Sequence, residues 1–254
     1  MKKAIIYLLV FAAIQLTLPY LISKTYHLMG GTAPASDATM MIISMTAASI
    51  LSIALFLYLR WAEVSRTYVR SRPWTVLLWC AIAACGAIIP STFLQEAMPE
   101  LPNLIEEEFD QILRNRWGYY AVGLLAPVSE ELVFRGAILR ALLGWTKRHW
   151  VAIALSALLF ALIHANPAQM PHAFLIGLLL GWMYYRTGSI VPGIVYHWVN
   201  NSIAYVLYNL YPDPSLKLID LFGSQRTVAA AVLFSLFILL PALYQLHLRL
   251  RKAE

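Results

Sequence analysis

The sequence predicts an all-α polytopic membrane protein with about eight transmembrane helices around an intramembrane polar cavity. Three observations predict this fold class: 60% of the 254 residues are hydrophobic, only 13% are charged, and the mean hydropathy is +0.66. A soluble domain carries about 25% charged residues. We therefore expect a single membrane domain over residues 1–254, without a large soluble part.

Eight apolar runs supply the predicted spans, and most of them meet the ~20 residues that cross a bilayer as a helix. They cover residues 4–22, 39–59, 74–95, 117–143, 149–164, 171–185, 189–210 and 227–248. The first run resembles a signal peptide at its basic start, but it stays apolar to Ile22, so we interpret it as a retained span. The fifth and sixth runs are short, and we expect their joint, "HANPAQMP", to lie in a protein-lined cavity below the membrane surface.

The lysines and arginines predict the orientation, because cytoplasmic loops are enriched in them. With both termini in the cytoplasm, thirteen of the nineteen fall inside, five fall outside and Arg135 lies within a span. We therefore expect a multi-pass protein of the cell membrane with both termini cytoplasmic. This topology accounts for the net charge of +6, and no combination of basic and stacking residues indicates a nucleic-acid partner.

One outer loop, "PELPNLIEEEFDQILRNRW", predicts an amphipathic helix that lies in the membrane interface. Asn103 and Glu106 have the spacing of a capping box at its start. The acidic residues that follow are most simply a solvated face. A role in gating the access of substrate is the alternative.

Ionisable side chains inside membrane spans are rare and usually functional, and the fourth span carries Glu130, Glu131 and Arg135 within the stretch "APVSEELVFRG". Glu131 and Arg135 are four residues apart, so they share one helix face and can form an ion pair. Glu130 lies about 140° round an α-helix from Arg135. Because Arg135 neutralises Glu130 less well, Glu130 is the better candidate for a general base or acid.

Two further helices carry polar residues that suit catalysis. His197 and Asn201 are four residues apart, so both can donate hydrogen bonds to one developing oxyanion. His164 ends the run "FALIH", where a packing role is one interpretation. The predicted depth of its joint favours the other interpretation, a functional histidine near Glu130.

The order and placement of three motifs resemble one known family. "EELVFR" is E-E-x-x-x-R, "FALIH" is F-x-x-x-H, and "HWVNN" is H-x-x-x-N, and they fall on successive predicted helices. Together they resemble the CPBP family of CAAX prenyl endopeptidases and bacteriocin-processing or immunity (Abi) proteins. The resemblance covers residues 117–205, which we take as the catalytic core helices.

The resemblance implies an eight-helix intramembrane endopeptidase whose substrate is a peptide or protein in or at the membrane, either prenylated or a leader peptide. By it, Glu130 and His164 would activate the attacking water. His197 and Asn201 would hold the oxyanion. Glu131 and Arg135 would order the site or position the substrate.

The cofactor is the point on which two alternatives remain. The sequence has no His-Glu-x-x-His zinc helix, and we expect metal-free catalysis. The alternative is a divalent metal such as zinc, held by Glu130, His164 and His197 as a three-ligand catalytic site.

Two other functions compete with proteolysis. A non-enzymatic immunity or scaffold protein of the same fold would tolerate loss of Glu130 or His197, yet both are present. A proton-coupled transporter also uses intramembrane glutamate and histidine. Transporters often show repeated halves, and the sequence shows no such repeat.

Overall fold

The computed structural model describes residues 1–32, 34, 37–213 and 215–252, and this part of the chain is helical without any β-strand. The all-α fold class is therefore confirmed. The helical elements in chain order are α1 (Lys2–Leu28), α2 (Ala38–Tyr58), α3 (Arg66–Arg70), α4 (Trp74–Glu96), α5 (Glu106–Arg114), the π-helical π1 (Tyr119–Leu125), α6 (Ala126–Glu131), the π-helical π2 (Leu132–Leu139), α7 (Arg140–Thr146), α8 (His149–Ile163), α9 (Met170–Thr187), α10 (Val191–Leu210), α11 (Leu218–Phe222) and α12 (Gln225–Arg249).

Each of the eight predicted apolar runs lies on helical structure. Four helices within the described ranges, α1, α2, α4 and α12, are long and apolar enough to cross a membrane by themselves. The fourth predicted run is helical from 119 to 146 but is divided between α- and π-helical segments, and α8 has only 15 residues. The total of eight spans therefore stays a prediction.

Large apolar side chains cover the outside of α1 and α12. Leu16 on α1 is 74% exposed and Phe237 on α12 is 69% exposed, with further leucines and aromatic residues along both helices. Contiguous apolar surface of this kind is unfavourable in water and marks a surface that contacts lipid or another protein. With the hydropathy of these helices, it indicates a membrane protein.

Two apolar cores hold the helices together. The first packs side chains of α1, α2, π2 and α8, including Phe11, Phe56 and Phe160. The second packs side chains of α4, α9, α10 and α12, including Leu180 and Tyr196. The two glutamates come from the side of the first core and His197 comes from the second, so the polar residues meet between the cores.

The loop between α4 and π1, which the sequence predicts to be an outer loop, contains the predicted amphipathic helix, α5, but the predicted capping box is wrong. The residue that precedes α5 is Ile105, two residues after Asn103, and no side chain caps the helix. Asn103 instead uses its amide on a distant partner: its Oδ1 accepts a hydrogen bond from Asn166 Nδ2 at 2.8 Å. Its Nδ2 donates to Glu106 Oε2 at 3.3 Å.

Candidate active site

Both glutamates lie in α6, a short α-helical segment between the two π-helical segments. π-helical turns are rare and occur frequently at functional sites, because the wider turn re-aims the side chains around it. Glu130 and Glu131 are the last two residues of α6, and π2 begins at Leu132. A change of helix type therefore coincides with the paired carboxylates.

Glu131 and Arg135 form a fully buried ion pair. Arg135 Nη1 donates to Glu131 Oε1 at 2.7 Å, and the two side chains are 1% and 0% exposed. Arg135 Nη2 donates to the Gly177 carbonyl on α9 at 3.3 Å, and the guanidinium lies 4.5 Å from the centre of the Phe160 ring. The two charges offset each other, and the guanidinium also meets a carbonyl and an aromatic face. Glu131 Oε2 and Arg135 Nε have no hydrogen-bond partner among the described residues.

Gly193 on α10 lets the carboxylate of Glu131 approach the backbone. A Cβ atom at position 193 would lie 2.7 Å from Glu131 Oε2, which is closer than normal contact allows. Gly193 is one helical turn before His197, so the same face of α10 that makes room for Glu131 also carries the histidine.

His197 lies between the two glutamates. Its Nδ1 is 3.1 Å from Glu131 Oε1, and its Nε2 is 3.7 Å from Glu130 Oε2. Because a carboxylate oxygen accepts, Nδ1 carries the proton in the hydrogen bond to Glu131. Glu131 therefore fixes the ring, and Nε2 is turned to the more open Glu130, whose side chain is 20% exposed.

His164 joins the cluster through Phe160, the first residue of the "FALIH" motif. The Phe160 ring meets the His164 ring edge-on with 4.9 Å between centroids and the His197 ring edge-on at 5.8 Å. His164 Nδ1 lies 2.8 Å from the Phe160 carbonyl oxygen and donates to it, since the carbonyl can only accept. This leaves His164 Nε2 available to another group.

Asn201 makes contacts of its own. Its Nδ2 donates to the Val122 carbonyl in π1 at 3.1 Å, and its Oδ1 accepts from Asn200 Nδ2 at 3.2 Å. One amide hydrogen of Asn201 thus remains for another acceptor. The structure ties Asn201 to π1, the segment that leads into the glutamates.

The structure brings Glu130, Glu131, Arg135 and His197 into direct contact, connects His164 to them through Phe160, and anchors Asn201 on π1. The roles predicted for these six residues stay predictions. His172, the third residue of α9 directly after the joint, also lies within electrostatic range of both His197 and His164.

The zinc alternative needs three ligands at one point. Among the described residues, no group of three histidine, cysteine, aspartate or glutamate side chains is arranged to hold a metal ion. As placed, Glu130, His164 and His197 do not fit a three-ligand site, and the steps proposed below use side chains and water.

Comparison with known proteins supports the family that the motifs resemble. Residues 113–203 match the family model described as "Type II CAAX prenyl endopeptidase Rce1-like". Over this segment the match supports membership of the CPBP family. The matched segment covers about a third of the chain and contains all six predicted site residues.

A curated relative gives a second, weaker likeness. The UPF0177 protein YxdF of Lactococcus lactis subsp. lactis (strain IL1403) is 30% identical over 138 residues. The aligned part is 54% of this chain and 64% of that protein, so the likeness spans less than two thirds of the relative. No solved structure matches the chain. At the level of the family, the matched description supports a protease.

Proposed function

We propose that this chain is an intramembrane endopeptidase that hydrolyses a peptide bond of a membrane-associated substrate with water activated by Glu130 and His164. The observation that supports it is the placement of two adjacent carboxylates on opposite nitrogens of one imidazole, at 3.1 and 3.7 Å. Buried ionisable groups cost folding free energy, and a cluster of this chemistry inside helices of a membrane protein is typical of a functional site.

Glu130 is the proposed general base for two reasons. Of the two carboxylates it is the one that is partly exposed, and it forms no ion pair with an arginine, whereas Glu131 pairs with Arg135. It would take a proton from water as the water oxygen attacks the carbonyl carbon of the scissile bond. The proton would then pass to the nitrogen of the leaving amine, giving a carboxylic acid and an amine as products. His164, whose Nε2 is not used by the Phe160 carbonyl, would orient the same water.

His197 and Asn201 would stabilise the oxyanion. In its protonated form His197 donates from both ring nitrogens, and the cluster of Glu130, Glu131, Arg135 and His197 then carries no net charge. The Nε2 proton and the second amide hydrogen of Asn201 would donate to the tetrahedral intermediate. Glu131 and Arg135 would act through His197, by fixing its ring, without touching the substrate.

The substrate class follows from the family and is part of the proposal. A prenylated C-terminal peptide fits the description of the matched family, and a leader peptide of a bacterial precursor is the second possibility. Either peptide would bind as an extended segment at the membrane, and the lipid bilayer is the second partner of the enzyme. Two matched fluorogenic peptides, with and without a farnesyl group on cysteine, distinguish the two.

The decisive experiment measures peptide cleavage by the purified full chain in proteoliposomes. We expect the wild type to cleave, and Glu130→Gln and His164→Ala each to abolish cleavage while the protein stays folded. Undiminished cleavage in Glu130→Gln would rule out the proposed base. If no peptide in either arm or in a leader-peptide library is cleaved, the non-enzymatic scaffold becomes the better explanation.

The metal alternative is tested with the same protein. We expect cleavage to persist after dialysis against a strong chelator, with less than one equivalent of zinc by elemental analysis. Inhibition by the chelator that zinc reverses would instead assign Glu130, His164 and His197 as ligands after a rearrangement.

The excess of lysine and arginine on one side supports a place in the cell membrane with both termini in the cytoplasm. Cysteine substitutions near Lys2 and Lys252, probed with a membrane-impermeant thiol reagent in intact and lysed cells, test this. Labelling in intact cells would contradict it.

A further inference from the structure

The joint between α8 and α9 is fastened to the outer loop by a buried asparagine. Asn166 is 1% exposed and lies two residues after His164. Its Oδ1 accepts from the Leu104 backbone N–H at 3.0 Å, and its Nδ2 donates to Asn103 Oδ1 at 2.8 Å. A backbone bond from Ala168 N to the Pro102 carbonyl at 3.3 Å runs alongside.

The backbone between His164 and Asn166 is strained. Ala165 has a φ of +50°, a left-handed conformation that residues with a Cβ seldom adopt. Such strain persists where the surroundings hold it in place, and it is concentrated at functional sites. Asn166, next to Ala165, is tied to another part of the chain, so its two hydrogen bonds with Asn103 and Leu104 keep the left-handed turn.

The turn sets the direction of His164. α8 ends at Ile163, and His164 still has right-handed helical angles, so its ring stays on Phe160 with Nδ1 on the Phe160 carbonyl. If Ala165 relaxed to a negative φ, the chain would leave α8 in another direction and the end of the helix would be free to fray. His164 would then lose its fixed position relative to Glu130 and His197.

We propose that Asn166, tied to Asn103 and Leu104 of the outer loop, is a positioning residue that fixes His164 in the catalytic cluster. The inference deepens the proposed function and rests on it. Loop 102–104 would then contribute to the reaction indirectly, through Asn166. Its residues are 60 or more positions from His164 in the sequence and touch no reacting atom.

The test compares Asn166→Ala and Asn103→Ala with two matched variants. Asn103→Asp keeps the oxygen that accepts from Asn166. Glu106→Ala removes the other partner of Asn103, at 3.3 Å, and leaves Asn166 untouched. We expect kcat to fall about 10- to 100-fold in both alanine variants at positions 166 and 103, with KM nearly unchanged, since misplacing a catalytic group acts on the chemical step.

The two matched variants are expected to retain most of the wild-type kcat. Asn166→Ala truncates a buried side chain and removes the acceptor of the Leu104 N–H, so we expect this variant to lose stability as well as activity. Asn103→Ala removes the hydrogen bond to Asn166 from an exposed loop, so we expect this variant to fold and to test the tie by itself. Wild-type kcat in Asn103→Ala, or a loss in Asn103→Asp equal to that in Asn103→Ala, would overturn the proposal.

Hydrogen exchange separates this inference from the proposed function. In Asn103→Ala we expect faster amide exchange over both 100–106 and 164–170, with α12 as the unchanged reference. If Glu130→Gln cleaves like the wild type, the proposed base is wrong, and faster exchange at 164–170 still supports the tie between loop and joint. Unchanged exchange at 164–170 would show that Asn103 and Asn166 do not hold the turn, whatever the activity.

Discussion

Glu130 and Glu131 are neighbours in the sequence, yet they lie in two different environments around His197. On the Nδ1 side, Glu131 is fully buried and paired with Arg135, with Gly193 against its second oxygen. On the Nε2 side, Glu130 is partly exposed and 3.7 Å from the ring. We call these the closed side and the open side of the cluster.

The difference separates stability from reactivity. A carboxylate that an arginine neutralises and helices enclose is a poor base, and removing its partner strands a buried charge. A carboxylate that keeps access to solvent or substrate can exchange a proton. The closed side therefore holds the ring of His197, and the open side is where, in the proposed function, water and a peptide carbonyl would meet.

The largest expected effect is on the open side. Glu130→Gln keeps the size of the side chain but removes its basicity, so we expect a loss of about 10²- to 10⁴-fold in kcat/KM, the contribution of a positioned general base. The midpoint of unfolding in detergent should change no more than it does for an ordinary surface substitution. If Glu130→Gln instead lost much stability and still cleaved the peptide, Glu130 would have a structural role like that of Glu131.

On the closed side, we expect substitutions to lower the stability of the fold. Arg135→Met should lower the free energy of unfolding by about 3–5 kcal/mol, because Glu131 is left buried and unpaired. The matched control is Arg114→Met: Arg114 and Asp110 are also four residues apart, at 2.8 Å, but exposed. Water screens that pair, so its removal should leave the midpoint nearly unchanged. Equal losses from both variants, measured by chemical unfolding, would show that burial does not distinguish the pairs.

Gly193 connects the two sides. In Gly193→Ala the new methyl would press on Glu131 Oε2, and overpacking of this kind costs about 1–3 kcal/mol. Because Glu131 holds His197, we also expect kcat to fall. Gly144→Ala is the control: nothing lies within 4 Å of a Cβ there, and alanine in place of helical glycine adds about 0.5–1 kcal/mol of stability. An unchanged kcat in a destabilised Gly193→Ala would uncouple Glu131 from the reaction.

Contacts within one helix could be predicted from the sequence. The spacing of Glu131 and Arg135 predicts their pairing, since residues four apart share a helix face whatever the rest of the fold does. It also separates Glu130 from that pair correctly. The apolar runs likewise predicted where the helices lie, because hydropathy reports the solvent that each segment faces.

Contacts between helices could not be predicted in this way. The meeting of His197 with both glutamates depends on how α10 packs against α6, and no spacing contains that information. Asn103 caps no helix and accepts a hydrogen bond from Asn166, 63 residues away, so a local capping pattern gave the wrong prediction. His197 and Asn201 share a face of α10, yet Asn201 turns one amide hydrogen to Val122, a carbonyl that only the packing of π1 supplies.

The smallest expected effect concerns the joint that holds His164, which the proposed function assigns to the open side. A left-handed residue with a Cβ costs roughly 1–2 kcal/mol, whereas glycine adopts this conformation freely but loses about 0.5–1 kcal/mol of backbone entropy on folding. Ala165→Gly should therefore raise the free energy of unfolding slightly, by about 1 kcal/mol or less. Lys147→Gly, at a φ of +55° after α7, is the matched control away from the cluster and should behave alike in thermal unfolding.

The two glycine variants are expected to differ from the Asn166 variants in activity. With the asparagine tie intact, a glycine at position 165 still has a positive φ, so His164 keeps its place and kcat should not change. A stabilised Ala165→Gly with a reduced kcat would mean that the stiffness of the alanine itself, and not the tie alone, aims His164 at the substrate.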